Sequence, residues 1–172
     1  MHEVFNEAVN KLEQGEQVVV ATVIKTKGST PQKPGAKLLV KQDGTGTGTL
    51  GGGCVEGDIW FAAKQLMQRG GNTEYREYEL NEELAAEDGL VCGGTMYFLI
   101  DPIYDPVDYL PYAKEIDDAY SGKGAVALAT VIKSDKGGTS KIGDKLFIRE
   151  NGECEGTLGD VELDQDAVNK AF

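Results

Sequence analysis

Residues 46–58 read Gly-Thr-Gly-Thr-Leu-Gly-Gly-Gly-Cys-Val-Glu-Gly-Asp, a strand-like segment that passes through three consecutive glycines into a helical pattern. Ordering glycine costs more backbone entropy than ordering any other residue, so Gly51, Gly52 and Gly53 indicate a sharp turn or a close approach. Cys54 follows at the predicted helix N-terminus, where the helix dipole and free N–H groups favour a thiolate and attract small anions. The alternative is a tight turn beside a small buried cysteine, since free cysteine is often buried.

The chain contains an internal duplication at a constant offset of 108 residues. Three blocks recur without a gap: Ala-Thr-Val-Ile-Lys at 21–25 and 129–133, Gly-x-Lys-Leu at 35–38 and 143–146, and Gly-Thr-Leu-Gly at 48–51 and 156–159. Solenoid repeats have periods of 20–50 residues, so this longer period indicates two copies of one larger unit.

We predict an α+β fold in which two duplicated sheet-and-helix units, each with hairpin strands and flanking helices, share a core. Residues 1–101 form the first repeat and carry the glycine and cysteine motifs. Residues 109–172 form a second, degenerate repeat, and the Pro-rich residues 102–108 connect the two. A chain of 172 residues can bury about 70% of its unfolded surface, which is enough for one compact domain.

Hydrophobic periodicity and turn residues predict the individual elements. Helices are expected at 3–14, 55–69, 82–88, 111–121 and from 162, and strands at 17–26, 36–41, 45–50, 75–80, 95–100, 124–133, 144–149 and 155–159.

The two repeats differ where the glycine turn lies. Residues 52–54, Gly-Gly-Cys, stand opposite residues 160–162, Asp-Val-Glu, and the proline loop at 31–34 stands opposite residues 139–142. The apolar runs and the hairpin turns occur in both repeats. If the fold itself needed Gly-Gly-Cys and the proline loop, the second repeat would carry them too. We infer that the first repeat has an additional function.

The net charge of −12 is unevenly distributed. Residues 1–66 are neutral overall, whereas residues 67–172 hold ten basic against twenty-two acidic residues. Five lysines between positions 25 and 41 have no acidic residue among them. They would attract a phosphate or oxyanion while the acidic remainder repels nucleic acid. The alternative is that they are exposed lysines on strand edges, which discourage aggregation.

Several classes of protein are excluded by composition. No apolar run is long enough to span a membrane, and no basic segment precedes an apolar stretch at the N-terminus, so we predict a cytoplasmic protein. Three cysteines without C-x-x-C spacing argue against a disulfide framework, a zinc ribbon and a dithiol redox site. His2 is the only histidine, so catalysis or metal binding by histidine has no candidate.

Other residues could contribute to a site at the glycine turn. Cys92 precedes Gly93 and Gly94, and two cysteines beside glycine turns would suit a soft metal or sulfur chemistry if they converge. Ser29 and Thr30 either donate hydroxyl hydrogen bonds to a phosphate or only shape a turn.

Glu56 lies in the first turn of the predicted helix after Cys54. A carboxylate there stabilises the positive end of the helix dipole. Alternatively, Glu56 orients a ligand or exchanges a proton.

These motifs together resemble the xanthine dehydrogenase accessory factor family, XdhC/CoxI. The resemblance covers essentially the whole chain and rests, in the family's order, on Ala21-Thr22-Val23, Gly28-Ser29-Thr30-Pro31, Pro34-Gly35-Ala36-Lys37, Gly51-Gly52-Gly53-Cys54-Val55-Glu56 and Cys92-Gly93-Gly94-Thr95.

The resemblance implies a cytoplasmic maturation chaperone, rather than an enzyme, for a molybdenum hydroxylase of the xanthine or carbon monoxide dehydrogenase type. Such a protein would bind the molybdenum cofactor (molybdopterin) transiently, support its sulfuration by a cysteine desulfurase and deliver it to the apoenzyme. The residues implied to bind the cofactor are Ser29, Thr30, Lys37, Gly51, Gly52, Gly53, Cys54, Glu56, Cys92, Gly93 and Gly94. No catalytic residue and no metal ligand is assigned.

Family members typically continue into a C-terminal dinucleotide-fold domain, which would start where this chain ends. The expectation is therefore a short or split member or a fragment, and no NAD(P) binding is assigned. The family also suggests a homodimer, although the duplicated unit offers the same interface within one chain.

Two other functions remain open. In the first, Cys54 is a persulfidated nucleophile of a sulfur carrier or thiol-dependent enzyme, activated by the helix dipole and nearby lysines. In the second, the acidic second repeat is a docking module for a basic partner surface, with association that weakens as salt is added.

Overall fold

The computed structural model describes residues 1–80, 93–134 and 137–172. Within them lie four helices and two antiparallel sheets, which confirms the predicted α+β class. In chain order the elements are α1 (His2–Glu13), β1 (Val18–Gly28), β2 (Lys37–Lys41), β3 (Gly46–Gly48), α2 (Gly53–Arg69), β4 (Glu74–Glu79), β5 (Gly94–Ile103), α3 (Pro106–Tyr120), β6 (Val126–Thr130), β7 (Lys145–Arg149), β8 (Cys154–Gly156) and α4 (Val161–Asn169).

The first sheet has five strands in the order β3-β2-β1-β5-β4. Strand β1 is central because its β-branched residues are paired on both edges, with β2 over Val18–Thr22 and with β5 along its whole length. The pairing with β5 shifts register between Val23 and Lys25. This shift lies close to the loop that carries the first candidate motif.

The two faces of the first sheet pack against different helices. Because side chains alternate along a strand, Val19, Ala21 and Val23 share one face and enter a fully buried core with Ile59 and Leu66 of α2. The opposite face packs against α1 and α3. The glycine turn that begins α2 therefore lies at one end of the first of these two layers.

The backbone pairing of the second sheet repeats that of the first with every residue number raised by 108. Leu38 pairs with Gly48 in the first sheet, and Leu146 pairs with Gly156 in the second. Among the described residues, β6 is paired only with β7, whereas β1 has a strand on both edges. The second sheet is thus a shorter version of the first, in the order β6-β7-β8.

Side chains connect the two sheets. Phe5, Ile116 and Phe147 form a buried cluster with contributions from α1, α3 and β7. The buried carboxylate of Asp101 on β5 accepts a hydrogen bond at 2.9 Å from the Lys145 ammonium on β7. These contacts pack the second sheet against the layer formed by α1 and α3.

The Pro-rich segment differs from the irregular connection that the sequence suggests. Strand β5 continues to Ile103, and α3 begins at Pro106, five residues before the predicted start. Asp105 caps this helix by accepting from the amides of Val107 and Asp108, and proline suits the first helical position because its missing N–H has no partner there. The predicted acidic helix at 82–88 lies outside the described residues.

The remaining predicted elements lie within a few residues of those observed, although β6 covers only the middle of the predicted strand at 124–133. Helix α4 ends at Asn169, inside the chain, and Lys170 is its C-cap. No helix in the described part of the chain has the length and apolar character needed to cross a membrane.

Candidate functional site

Three consecutive glycines with left-handed backbone conformations connect β3 to α2. The φ angles of Gly51, Gly52 and Gly53 are 116°, 74° and 63°, a region in which L-residues are strained. In the second repeat only the first position, Gly159, keeps this conformation, with a φ of 84°. Asp160 follows with an extended φ of −147°. The run of glycines is therefore a conformational requirement of the first repeat alone.

The N-termini of the two equivalent helices differ in their capping. Asp160 caps α4, since its carboxylate accepts from the amides of Glu162 and Leu163 at 2.8 and 3.1 Å. Gly52 occupies the same position in α2 and supplies no side chain. In the described structure the amides at and after Cys54 therefore have no capping side chain. Such N–H groups, together with the positive end of the helix dipole, favour a bound anion.

The candidate motif at the end of β1 contacts the motif at the start of β5. A Cβ atom at Gly94 would lie 2.5 Å from the carbonyl oxygen of Lys27 and 2.6 Å from that of Ser29. A Cβ atom at Gly28 would lie 2.7 Å from the carbonyl oxygen of Gly93. These glycines are needed because the two backbones touch, and Ser29, Gly93 and Gly94 consequently lie together.

The same loop also contacts the glycine turn. A Cβ atom at Gly51 would lie 2.7 Å from the ring of Pro31. The structure thus places the loop at 28–31, the turn at 51–54 and the glycines at 93–94 at one end of the first sheet. Within the loop, the Thr30 hydroxyl donates to the Gln32 carbonyl oxygen at 3.0 Å, as expected for a residue that shapes a turn.

The two cysteines of the predicted site differ in what can be said of them. Cys54 is the second residue of α2 and its side chain is exposed, so the alternative of a buried structural cysteine is wrong. Cys92 lies outside the described residues, and its convergence with Cys54 stays a prediction. Across residues 1–80, 93–134 and 137–172, no group of three or more His, Cys, Asp or Glu side chains is arranged to hold a metal ion.

Glu56 is bonded to the turn that precedes it. One of its carboxylate oxygens accepts from the Thr49 hydroxyl and the Leu50 amide, each at 2.7 Å, and from the Gly52 amide at 3.2 Å. Partial burial raises the pKa of Glu56, but the hydrogen bonds from Thr49, Leu50, Gly52 and Gly51 outweigh it and hold the pKa below its usual value. Glu56 is therefore an ionised acceptor that fixes the turn.

The second repeat contains the same arrangement, with Asp164 in place of Glu56. Its carboxylate accepts from the Thr157 hydroxyl at 2.8 Å and from the Leu158 amide at 2.7 Å. Since this turn lacks the Gly-Gly-Cys sequence, the carboxylate belongs to the structure that both repeats share. The position of Glu56 thus favours the structural alternative, and its participation in cofactor binding stays a prediction.

Lys37 lies away from the glycine turn. Its neighbours Leu38 and Val40 face α2, and alternation places Lys37 on the other face of the sheet. There its ammonium donates to the Thr22 hydroxyl at 2.9 Å. Burial lowers the pKa of Lys37, and the negative charge of Asp101 opposes that shift only in part. The expectation that Lys37 joins the other candidate residues does not agree with this position.

Tyr78 on β4 is a candidate that the sequence reasoning missed. Burial, a hydrogen bond with Asp58 and the negative charges of Asp58 and Cys54 raise the pKa of the Tyr78 phenol. Its ring packs against the core that contains α2, so its hydroxyl lies close to the first turn of that helix. The sequence marks Tyr78 only as part of a strand, and pairing of β4 with the distant β5 brings it to the site.

Comparison with known proteins gives one family and several relatives. The model of the XdhC and CoxI family matches residues 11–79 and 120–172. The chain is 32% identical over 143 residues to a probable xanthine dehydrogenase subunit of Bacillus subtilis, which covers 82% of this chain and 40% of that protein. It is 35% identical over 69 residues to the molybdenum cofactor insertion chaperone PaoD of Escherichia coli, covering 40% of this chain and 22% of that protein.

A solved structure shares the fold. The crystal structure of a xanthine dehydrogenase from Bacillus halodurans aligns with a TM-score of 0.67 and 27% identity, over 90% of this chain and 47% of that one. The chain thus spans less than half the length of the relatives to which it is similar.

Proposed function

The chain belongs to the XdhC and CoxI family, and from that premise we propose that it is an accessory protein that binds the molybdenum cofactor and assists its insertion into a molybdenum hydroxylase. A relative that is named a molybdenum cofactor insertion chaperone supports this proposal. The partner would be the hydroxylase apoenzyme, of the xanthine or carbon monoxide dehydrogenase type, in the cytoplasm.

The uncapped N-terminus of α2 is the single observation that carries the cofactor site. A phosphorylated ligand fits there because free amides and the helix dipole attract its phosphate. Room for it exists, since no atom lies within 4 Å of where a Cβ would stand at Gly52 or Gly53. In the second repeat the carboxylate of Asp160 fills the equivalent position. The site would therefore be specific to the first repeat.

The proposed site combines backbone and side-chain groups. The amides at the start of α2 would hold the phosphate, while Ser29, Gly93 and Gly94 border the same end of the sheet. When bound, the cofactor supplies the sulfur-ligated molybdenum centre that the hydroxylase uses. The thiol of Cys54 is exposed beside the turn. We propose that this thiol assists sulfuration by presenting sulfur from a cysteine desulfurase.

Cofactor retention by the purified chain tests this proposal. The protein is incubated with molybdenum cofactor under reducing, anaerobic conditions, free ligand is removed, and bound molybdenum and pterin are assayed. We expect retention near one equivalent per chain that falls severalfold in Cys54→Ala. The matched control is Cys154→Ala, because Cys154 is the other exposed cysteine among the described residues and lies on β8 in the second repeat. Failure of a folded chain to retain cofactor would refute binding by this chain.

A sulfur carrier that acts without the cofactor is the second candidate function. The observation in its favour is the exposed position of Cys54 at a helix N-terminus, which favours the thiolate. Alkylation of Cys54 is measured against pH by peptide mapping. A Cys54 pKa near the ordinary value of about 8.5 would argue against a sulfur carrier. A clearly lower value together with no cofactor retention would favour it over the chaperone.

A further inference from the structure

A cleft of about 610 Å³ lies between the two sheets, on the face of the first sheet that α2 does not cover. Its volume is within the range of small-molecule sites, and its lining is mostly apolar with a few polar groups, as in such sites. Phe5 and Tyr120, whose ring centroids are 5.6 Å apart, contribute aromatic surface. The cleft is separate from the glycine turn because the first sheet stands between them.

Equivalent positions of the two repeats form the facing walls of the cleft. Alternation directs every second side chain of β1 and of the segment that begins with β6 into it. The facing pairs, each 108 residues apart, are Val20 and Leu128, Thr22 and Thr130, and Ile24 and Ile132. Both repeats are therefore required to build this cleft, which neither sheet forms alone.

Lys37 provides a positive charge in the cleft that has no acidic partner. Its ammonium donates to the Thr22 hydroxyl at 2.9 Å, and no carboxylate of the described residues forms an ion pair with it. The nearby carboxylate of Asp101 already accepts from Lys145 at 2.9 Å and from the Thr73 hydroxyl at 2.7 Å. A partly buried ammonium without a counter-ion is costly, so a ligand carboxylate would gain a charge-assisted hydrogen bond there.

We propose that this cleft binds a small amphipathic monoanion, a carboxylate whose acidic group pairs with Lys37 and whose apolar body lies between β1 and the β6 segment. The apolar walls favour a hydrocarbon or aromatic body. A single charge is favoured because a second anionic group in the cleft would face Asp101, which is buried and already paired.

Methyl NMR with 4-phenylbutyrate as the probe tests the site in the full chain labelled at the isoleucine δ1 methyl groups. Ile24 and Ile132 line the cleft, whereas Ile59 of α2 is buried on the other face of the first sheet. We expect saturable, one-to-one shifts at Ile24 and Ile132 and none at Ile59. Shifts at Ile59 alone would overturn the proposal and would instead place the anion near the glycine turn.

Variants test the role of the charge. Lys37→Met should weaken binding of 4-phenylbutyrate by about tenfold or more, since hydrogen bonds to charged groups contribute roughly 1.5–3 kcal/mol. Lys37→Arg should retain most of the affinity. Lys33→Met, which removes an exposed lysine four residues away, should leave it unchanged. The neutral 4-phenylbutanol should bind about tenfold more weakly than the acid.

A second substitution keeps the test independent of Lys37. Leu128 is partly exposed on the wall formed by β6, so Leu128→Glu should fold and should abolish binding by placing a like charge in the cleft. Equal affinities of the wild type, Lys37→Met and Leu128→Glu would overturn the proposal. The cofactor-retention assay is unaffected by either result, because it concerns the opposite face of the sheet.

Discussion

Replacement of Glu56 by alanine removes the acceptor that holds the turn between β3 and α2. Its carboxylate oxygen accepts three hydrogen bonds, from the Thr49 hydroxyl and from the amides of Leu50 and Gly52. Water can reach the exposed hydroxyl of Thr49 after the truncation, but Leu50 is fully buried and its amide would lose its only acceptor. The cost of Glu56→Ala is therefore dominated by one unsatisfied amide and the lost charged bonds.

The expected loss of stability is about 3 kcal/mol. A hydrogen bond to a charged group contributes roughly 1.5–3 kcal/mol, and an unsatisfied buried donor costs roughly 1–3 kcal/mol. These contributions overlap because a single oxygen accepts all three bonds, so they are not summed. For a chain of 150–250 residues, 3 kcal/mol corresponds to a decrease in Tm of roughly 6–12 °C.

Urea unfolding followed by tryptophan fluorescence measures this loss. Trp60 is the only tryptophan of the chain and lies on α2, where its indole N–H donates to the Gly44 carbonyl oxygen at 2.9 Å. The matched control is Asp164→Ala, which removes the equivalent bonds in the second repeat. We expect this control to cost only about 1 kcal/mol, because α4 has no buried residue and opens locally.

The pH dependence gives a further check on Glu56. Its pKa in the folded protein lies below the usual 4.5, so its stabilising effect is fully present above pH 4.5 and is lost as the pH falls through the folded pKa. The difference in stability between the wild type and Glu56→Gln should therefore shrink in the acid range. The reasoning is refuted if Glu56→Ala stays within about 0.5 kcal/mol of the wild type at pH 7.

Two other substitutions test the packing around the site and between the sheets. Gly94→Ala should destabilise the protein by about 3 kcal/mol, since its methyl group would lie 2.5 Å from a carbonyl oxygen of β1, whereas Gly57→Ala in the open part of α2 should stabilise it by up to about 1 kcal/mol; equal thermal shifts would contradict this. Asp101→Leu should lower the unfolding free energy by roughly 3–5 kcal/mol, because it leaves the Lys145 ammonium and the Thr73 hydroxyl without their acceptor. A double-mutant cycle with Lys145→Met that shows no coupling would contradict the second expectation.

Much of the local structure could be predicted from the sequence because it depends on local patterns. The apolar periodicity of residues 3–14 predicts α1, and the Asp43-Gly44 turn between two apolar runs predicts the hairpin of β2 and β3. The boundary at Pro106 is harder to predict, because proline suits both a connection and the first turn of a helix. Capping by Asp105 determines which of these is formed.

The candidate site could be predicted only in part. The contrast between residues 52–54 and 160–162 marks the glycine turn as a special feature of the first repeat without reference to the fold. The same reasoning groups Lys37 with the turn, since it treats lysines that are close in sequence as one set. Strand alternation directs Lys37 to the opposite face, and a pattern of charges along the chain does not contain that information.

The sequence by itself determines the family, the fold class and the glycine turn, because each depends on which residues occur and how they are spaced. The tertiary structure determines that Pro31 packs on Gly51, that Gly94 contacts the end of β1, and that the cleft with Lys37 lies between the sheets. The physical reason is that these contacts join segments that are distant along the chain. Their geometry depends on the pairing of β1 with β5 and on the packing of the two sheets, which no local pattern specifies.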